Sequence, residues 1–469
     1  MIFINKNLKF LSVILTYPLN LSNNSTTLSK SGNLTIDINV KPIEIEEPVE
    51  IEESIEIERP FPEQEDSYFD FSFLKMENNK RNMLYSPLSI KYGLKVLQEG
   101  AAGNTYNEIN NIIGNSTLIK YTKNDKNISL ANGLFIRDSF YDDISTKYIN
   151  TLKEKYDAEI KKDEFKDAKN ANQWIEDKTS GIIKNMLNDD TVICSEVILI
   201  NALTIDLEWN KPFYYEETRG KPFYMDNGQE MIATTMKKIF CDDYIYFYVN
   251  KNITAITMDF KIYNGIQMEF MAIMPCKNLS NFVKTVSKAQ IQEIDRNLKK
   301  TAFDFELEIP KFKFNYDLKL KEDLVNLGIN DAFDSLRADF SKMVDGNPSG
   351  LCVSEALHKA DIDFNENGVK AAAANEFSMP RCLFGSIKIN KPFMFIIKDK
   401  NTKDIWFTGT VYEPNLWENE KESYEEERRD FRQQFLNKLI LEDKKEDIKK
   451  HTINFKLKNL LTKKKIEKI

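Results

Sequence analysis

The chain has 469 residues, 42% of them hydrophobic and 12% aromatic, which is enough for a large buried core. Its net charge of −8 argues against a global electrostatic attraction to nucleic acid, so no nucleic-acid partner is expected. The five cysteines are scattered, odd in number and without a C-x-x-C pair, which argues against a disulfide scaffold or a paired-cysteine zinc site. We expect most of them to be buried or free thiols, and we expect no metal and no cofactor.

The N-terminus, residues 1–22, has the pattern of a secretory signal peptide. Lys6 and Lys9 precede an apolar run from Phe10 to Leu21. Such a run behind positive charge is typical of a signal peptide and is too short to span a bilayer, and no later stretch reaches transmembrane length. A disordered arm is the alternative, because no clear small-x-small cleavage site follows. The pattern predicts that the protein is secreted and extracellular.

Export would make the chain a glycoprotein. Asn-x-Ser/Thr sequons are modified only in a chain that enters a glycosylating secretory route. These sequons begin at Asn23, Asn24, Asn33, Asn115, Asn127, Asn252 and Asn278.

Residues 23–66 are predicted to form a disordered acidic linker. Ser, Asn and Thr are abundant up to residue 42, and residues 43–66 read IEIEEPVEIEESIEIERPFPEQED. The alternation of Ile and Glu could form a strand, but repelling carboxylates and three prolines favour an extended, solvated segment.

From residue 67 to residue 414 the pattern is that of a globular domain. Helical periodicity is present in residues 88–113, 143–157, 168–187 and 318–333. Strand-like apolar runs occupy residues 130–136, 193–205, 245–249, 253–261, 266–274, 303–314, 387–397 and 404–412. Most helices precede most strands, without regular βαβ alternation. This order predicts an α+β fold rather than a doubly wound sheet.

Residues 415–469 are predicted to form a charged C-terminal extension. Apolar residues fall on one helical face at Phe431, Phe435, Leu436, Leu439 and Ile440. Lysines dominate from Lys444 to Lys468, so a solvated helix with a basic end is expected. The alternative is a surface-binding protein that uses this basic end and its acidic linker.

The chain lacks the motifs of common enzyme classes. Its only histidines are His358 and His451, and His451 lies in the charged extension. His358 lies in LCVSEALHKADIDF, which is typical of a buried strand and favours a satisfied core histidine over a Ser-His-Asp or Cys-His site. No P-loop, Rossmann, zinc-protease or nucleophile-elbow motif is present. The sequence therefore predicts that the protein is not an enzyme, and a site of paired carboxylates is the alternative, which 73 acidic residues make uninformative.

An ordered series of segments carries a resemblance to a known family. The series is NMLYSPLSI (82–90), QEGAAGNTYNEI (98–109), ANGLF (131–135), NQWIEDKTSGII (172–183), ILINALTIDLEWNKPF (198–213), LGINDAFD (327–334), HKADIDFNENGVKAAAAN (358–375), KPFMFIIKD (391–399) and WFTGTVYEP (406–414). In this order and spacing the segments resemble the serpins, a family of serine protease inhibitors. The resemblance implies three β-sheets surrounded by about nine helices, with an exposed reactive-centre loop.

The resemblance also assigns residues to the parts of a serpin that move. Ser86, Ser89, Asn201 and His358 match the shutter, a polar cluster beneath the point where the central sheet opens. Trp209 matches the tryptophan of the breach, where loop insertion begins. Because buried polar groups have to be hydrogen-bonded to one another, the shutter gives His358 a structural role.

A run of small residues matches the hinge of the reactive loop. It comprises Glu366, Asn367, Gly368, Val369, Lys370, Ala371, Ala372, Ala373 and Ala374. Without the resemblance, the four alanines favour a helix. In a hinge, small side chains can slide between existing strands, and Gly368 supplies backbone freedom at the pivot. Strand alternation would turn Val369 inward and leave Lys370 in solvent.

The resemblance implies a suicide mechanism, in which a protease cuts the loop and is trapped in a covalent complex as the loop enters the sheet. The cut can be located by counting residues from two fixed points of the family pattern. Counting back from Phe393 places it at Arg381–Cys382, whereas counting forward from the hinge glycine Gly368 places it after Cys382. We favour Arg381, because a long cation satisfies the buried carboxylate of trypsin-like pockets. The expected partner is a trypsin-like serine protease, and the expected inhibitor is a monomer. The alternative is a non-inhibitory serpin with a carrier, chaperone or storage role.

Overall fold

The computed structural model describes most of the chain between residues 68 and 429. The described ranges are 68–114, 118, 127–240, 244–301, 305–318, 320–345, 350–369, 385–426 and 429. The predicted signal peptide, the predicted acidic linker and the extension beyond residue 429 lie outside them.

Eleven helices are present in the described ranges. They are α1 (Ser72–Met76), α2 (Pro87–Gly100), α3 (Gly103–Ile113), α4 (Asp138–Tyr141), α5 (Thr146–Tyr156), α6 (Lys169–Lys178), α7 (Asp189–Ile193), α8 (Leu279–Thr285), α9 (Lys288–Arg296), α10 (Leu320–Leu327) and α11 (417–426). Short 3₁₀ helices span Tyr68–Phe71, Tyr215–Glu217 and Asp331–Phe333. None of the helices in these ranges is long and apolar enough to cross a bilayer.

Three of the helices in the structure are shorter than the periodic sequence segments that predicted them. The pattern of residues 88–113 divides into α2 and α3, because Ala101 and Ala102 are extended. The helix predicted over 168–187 ends with α6, and the one predicted over 318–333 ends with α10. In the last case Gly328 follows with φ +107°, a conformation that ends a helix.

The strands are eighteen in number in the described ranges. They are β1 (Met83–Tyr85), β2 (Ile128–Arg137), β3 (Glu159–Asp163), β4 (Val197–Ile205), β5 (Leu207–Glu208), β6 (Arg219–Tyr224), β7 (Glu230–Phe240), β8 (Tyr246–Val249), β9 (Ile253–Tyr263), β10 (Ile266–Pro275), β11 (Lys299–Lys300), β12 (Phe305–Pro310), β13 (Phe312–Leu318), β14 (Glu355–Asn365), β15 (Gly368–Val369), β16 (Gly385–Lys388), β17 (Phe393–Asp399) and β18 (Ile405–Val411).

These strands form three sheets. The central sheet has the order β3-β2-β4-β14-β15-β5, with β13 paired to β14. The long sheet has the order β1-β18-β17-β10-β9-β8-β11, and the small sheet has the order β16-β12-β7-β6. α2 packs against β4 of the central sheet and β18 of the long sheet. The predicted α+β fold with three sheets is confirmed.

Two predicted strands each divide into two at a proline. The run 303–314 becomes β12, which ends at Pro310 in the small sheet, and β13, which begins at Phe312 in the central sheet. The run 387–397 becomes β16 and β17, and Pro392 lies between them. Proline has no N–H to continue a ladder, so it marks the points where the chain changes sheets.

The first part of the C-terminal extension packs against the domain. The sequence placed a boundary at residue 414, yet the N–H of Asn415 donates to the carbonyl of Lys311 at 3.0 Å. Tyr424 of α11 is 1% exposed. Residues 415–426 therefore continue the packed structure, and we call them the docked extension.

Candidate functional site

The central sheet is open between two of its strands. β4 and β14 run parallel and pair only through Ile198–Asn201 and Glu355–His358. Within the described residues, no backbone pairing joins residues 202–206, at the end of β4, to residues 359–363 of β14. We call this stretch the open interval. Unpaired strand edges are a template for another strand, so the open interval can accept one.

The first hinge residues lie at the far end of the open interval. β15 pairs antiparallel with β14 on one side and with β5 on the other. Val369 lies opposite Phe364 and is only 1% exposed. Gly368 has φ +152°, and a Cβ atom there would lie 1.9 Å from the carbonyl oxygen of Leu207. Only glycine therefore fits at this position of the sheet.

Trp209 holds the turn that leads into β15. Its indole Nε1 donates to the carbonyl of Asn365 at 3.0 Å, and its backbone N–H donates to the carbonyl of Asn367 at 2.8 Å. The ring stacks on Phe260 at 4.3 Å and meets Phe364 edge-on at 5.3 Å. The buried indole thus fixes the backbone at the place where the resemblance put the breach.

The carboxylate of Glu366 is buried in the same turn. Its Oε1 accepts from Oγ1 of Thr218 at 2.7 Å, and its Oε2 lies 3.4 Å from Nζ of Lys311. Its carbonyl accepts from the N–H of Phe213 at 2.8 Å. A buried carboxylate needs such partners. The sequence assigned Glu366 to the hinge but did not single out Lys311, which no pattern distinguishes from the other lysines.

The four predicted shutter residues come together at the closed end of the open interval. Oγ of Ser89 donates to Oδ1 of Asn201, and Nδ2 of Asn201 donates to Oδ1 of Asn132. The N–H of Ser86 donates to Nε2 of His358 at 3.0 Å, and Oγ of Ser86 accepts from the N–H of Ser89 at 3.0 Å, which caps α2. These bonds tie α2 to β2, β4 and β14. Asn132 is the member that the sequence did not identify, although it lies within the quoted segment ANGLF.

His358 is a neutral core histidine with one of its two ring nitrogens bonded. Burial lowers its pKa to about 3. Because Nε2 accepts a hydrogen bond, the proton of the neutral ring lies on Nδ1. Among the described residues Nδ1 has no hydrogen-bond partner. The expected core position is found, and the bond from Ser86 supplies one partner to the ring.

The rest of the predicted reactive loop lies outside the described residues. This applies to Lys370, Ala371, Ala372, Ala373 and Ala374 of the hinge, and to Arg381 and Cys382 of the predicted scissile bond. Their assignments stay predictions.

The described cysteines are free thiols. Cys194 and Cys276 are exposed and Cys352 is half-buried. The expectation of buried residues or free thiols therefore holds for these three, as free thiols. Within the described ranges, no group of His, Cys, Asp and Glu side chains is arranged to hold a metal ion.

An α+β fold of three sheets, with a hinge that begins a strand inside an open central sheet, is the architecture of a serpin. The model of the family Serpin (serine protease inhibitor) matches residues 68–414, and the chain belongs to this family. The family is one of serine protease inhibitors rather than of enzymes, and some of its members have no inhibitory activity.

Individual relatives cover nearly the same part of the chain. The leukocyte elastase inhibitor of Xenopus tropicalis is 28% identical over 379 residues, which are 74% of this chain and 98% of that protein. The native structure of tengpin, a thermophilic serpin, is 27% identical with a TM-score of 0.63 and covers 73% of this chain and 92% of its own. Human thyroxine-binding globulin complexed with thyroxine is 25% identical with a TM-score of 0.64, and the match covers 74% of this chain and 97% of that chain.

Proposed function

We propose that this serpin inhibits trypsin-like serine proteases as a suicide substrate. The protease serine attacks the carbonyl carbon of Arg381, the amine of Cys382 leaves, and Arg381 stays joined to the protease as an ester. The cut loop then enters the central sheet and carries the protease with it, so that the ester is not hydrolysed.

The observation that carries this proposal is the position of β15. Gly368 and Val369 already pair between β14 and β5, at the mouth of the open interval. The hinge has therefore begun the strand that the cut loop would complete. Serpins without inhibitory activity usually lose the small-residue hinge, whereas Gly368, Val369 and the alanines are kept here.

The register of β15 predicts where the rest of the hinge would go. Val369 lies opposite Phe364, so each further loop residue pairs one step back along β14. Lys370–Ala374 would then fill the open interval opposite residues 359–363. Ala371 and Ala373 would join Val369 on the buried face, where β14 presents its own buried side chains. The small size of these residues lets them enter without overpacking.

The same register gives Lys370 a charge-complementary position. It would lie between Asp363 of β14 and Asp206, on the face of β14 that is only half-buried. Opposite charges placed across a strand pair are favourable. The inserted strand therefore matches the open interval in charge as well as in size.

The next residue, Asn375, would have to part the paired strands. It would fall opposite His358 and Asn201, the last pair that joins β14 to β4. Insertion beyond Ala374 therefore requires the shutter bonds to rearrange. Filling the sheet with about ten residues, at about 1 kcal/mol net for each hydrogen bond and with added apolar burial, provides a driving force on the order of 10 kcal/mol.

The test is to mix the protein with a panel of serine proteases and to look for complexes that survive boiling in detergent. We expect such a complex with an Arg-specific protease, and a released C-terminal fragment that begins at Cys382. A fragment beginning at Leu383 would assign recognition to Cys382. Arg381→Ala should abolish trapping of Arg-specific proteases without changing the fold. Cleavage by every protease without any stable complex would contradict the proposal and favour a non-inhibitory role.

We also propose that the protein is exported with residues 1–22 removed, and that it is glycosylated. Among the sequons in the described ranges, Asn252 is exposed, which suits a glycan, whereas Nδ2 of Asn127 donates to the carbonyl of Asp206 at 2.8 Å. Sequencing of the mature N-terminus tests export. Recovery of the intact N-terminus from a cytosolic fraction would contradict it.

A further inference from the structure

The docked extension begins with a firm attachment to the domain. The carbonyl of Asn415 accepts from the N–H of Thr234 at 2.8 Å, and its N–H donates to the carbonyl of Lys311 at 3.0 Å. Its Oδ1 accepts from the N–H of Lys313 at 3.0 Å. Three bonds from one residue fix the start of the extension to β7, to Lys311 between β12 and β13, and to β13.

An aromatic stack then brings α11 against the small sheet. Tyr424 stacks on Tyr215 at 4.3 Å and contacts Trp417 at 5.5 Å between ring centroids. A Cβ atom at Gly220 of β6 would lie 2.5 Å from Cδ1 of Trp417. The small sheet therefore leaves room for this indole only because residue 220 has no side chain. The domain surface is shaped to receive the extension.

The aromatic stack places the hydroxyl group of Tyr424 beside the hinge residue Glu366. The OH of Tyr424 donates to Oε1 of Glu366 at 2.6 Å, and Nζ of Lys311 donates to the OH of Tyr424 at 2.5 Å. Burial, and then the charge of Glu366, raise the pKa of Tyr424, so its hydroxyl remains a donor across the physiological range. The extension therefore supplies a third partner to the buried carboxylate that Thr218 and Lys311 also contact.

We propose that Tyr424 is a positioning residue of the inhibitory machinery, which acts through Glu366 to hold the turn before Gly368 and keep the hinge in register. This inference rests on the proposed inhibitory function. Glu366 precedes the inserting strand, so its contacts need not break when the loop enters the sheet. A fixed turn lets insertion start from the β15 pairs without a search for register. Loss of the hydroxyl slows insertion, and hydrolysis of the ester then competes better.

The variant Tyr424→Phe isolates this role, because it removes the hydroxyl and keeps the ring in the stack. Lys421→Ala is the control, since Lys421 is exposed on the same helix and contacts Glu425 at 3.9 Å. The measurement is the stoichiometry of inhibition, the number of inhibitor molecules consumed per protease trapped. We expect it to rise at least twofold in Tyr424→Phe and to stay unchanged in Lys421→Ala. A lower thermal midpoint with an unchanged stoichiometry would show that the hydroxyl is only structural and would overturn the proposal.

Two further measurements make the test specific. In a Glu366→Gln background, Tyr424→Phe should change the stoichiometry of inhibition little further, because the hydroxyl acts through Glu366. An equal added change in both backgrounds would contradict that route.

Hydrogen exchange of the Gly368 and Val369 amides in the intact protein should speed up in Tyr424→Phe but not in Lys421→Ala. If the wild type traps no protease and exchange still responds, the proposed function fails while the positioning contact stands. If the wild type traps protease and exchange does not respond, the positioning role fails alone.

Discussion

Val369 shows at the scale of one residue why the hinge needs small apolar side chains. It replaces the Thr or Ser that is usual in the family at this place, yet it is buried between Leu207 and Phe364. Being β-branched, valine suits a strand, and it contains no polar group that would need a partner in this position. The substitution is therefore compatible with insertion.

The variant Val369→Arg should convert the inhibitor into a substrate. Because residue 369 is already buried between β14 and β5, an arginine there would either bury an unpaired charge, at a cost of several kcal/mol, or leave its β15 pairs. Insertion would then no longer start from those pairs, so it would slow and the ester would be hydrolysed first. We expect cleavage at the same bond with few detergent-stable complexes. Val369→Thr is the matched control and should trap protease as the wild type does. Stable complexes at undiminished stoichiometry in Val369→Arg would rule out the insertion mechanism.

His358 links stability to pH. Its pKa is about 3 in the folded protein and about 6.5 in an unfolded chain, so between these values the unfolded state binds the extra proton. Its contribution to stability is therefore present above pH ~6.5 and is lost as pH falls toward 3, at up to about 1.4 kcal/mol per pH unit. The thermal midpoint should drop more between pH 7.5 and pH 5 in the wild type than in His358→Gln. Equal drops would show that His358 is not the titrating group.

The residues that sequence reasoning found are those that the family's motifs assign or whose type is strongly constrained. Gly368, Trp209 and His358 belong to this group. Asn132, Lys311 and Tyr424 do not, because asparagine, lysine and tyrosine are common in this chain and their roles arise from contacts between distant segments. Tyr424 meets a glutamate 58 positions away, and nothing in a charged extension predicts that contact.

At the scale of elements, the hinge is where local preference and tertiary structure disagree. Four consecutive alanines favour a helix, while in the proposed insertion the register of β15 would direct them into a strand. Three of the predicted helices end or divide earlier than expected, next to residues with extended or left-handed backbone. Two of the predicted strands divide at prolines. Sequence periodicity identifies a buried face, but it does not locate the turn that ends an element.

Lys370→Glu tests the register directly. The inserted residue 370 would lie between Asp206 and Asp363, so the variant places three negative charges side by side and should slow insertion. We expect a higher stoichiometry of inhibition, with partial recovery at high salt because the repulsion is screened. Lys370→Gln is the control and should have a smaller effect that salt does not change. An unaltered stoichiometry in Lys370→Glu would show that residue 370 does not enter between these carboxylates.

At the scale of the whole molecule, the order of segments was sufficient to predict the fold. The three sheets and the α+β class follow from pieces that are individually weak but occur in a fixed order. The docked extension could not be predicted in this way, because it lies beyond residue 414, where the family match ends. Its packing became visible only through the stack of Trp417 and Tyr424 on the small sheet.

The most direct test of the central claim is the thermal unfolding midpoint of the protein before and after a single cut in the reactive loop. Completing the central sheet supplies on the order of 10 kcal/mol. With an unfolding entropy of about 2.1 cal/mol/K per residue, a domain the size of residues 68–414 gains about 1.4 °C per kcal/mol, so the midpoint should rise by roughly 14 °C. The account predicts a rise of this size in the cleaved protein. Equal midpoints for the intact and cleaved forms would contradict it, because the loop would then have remained outside the open interval.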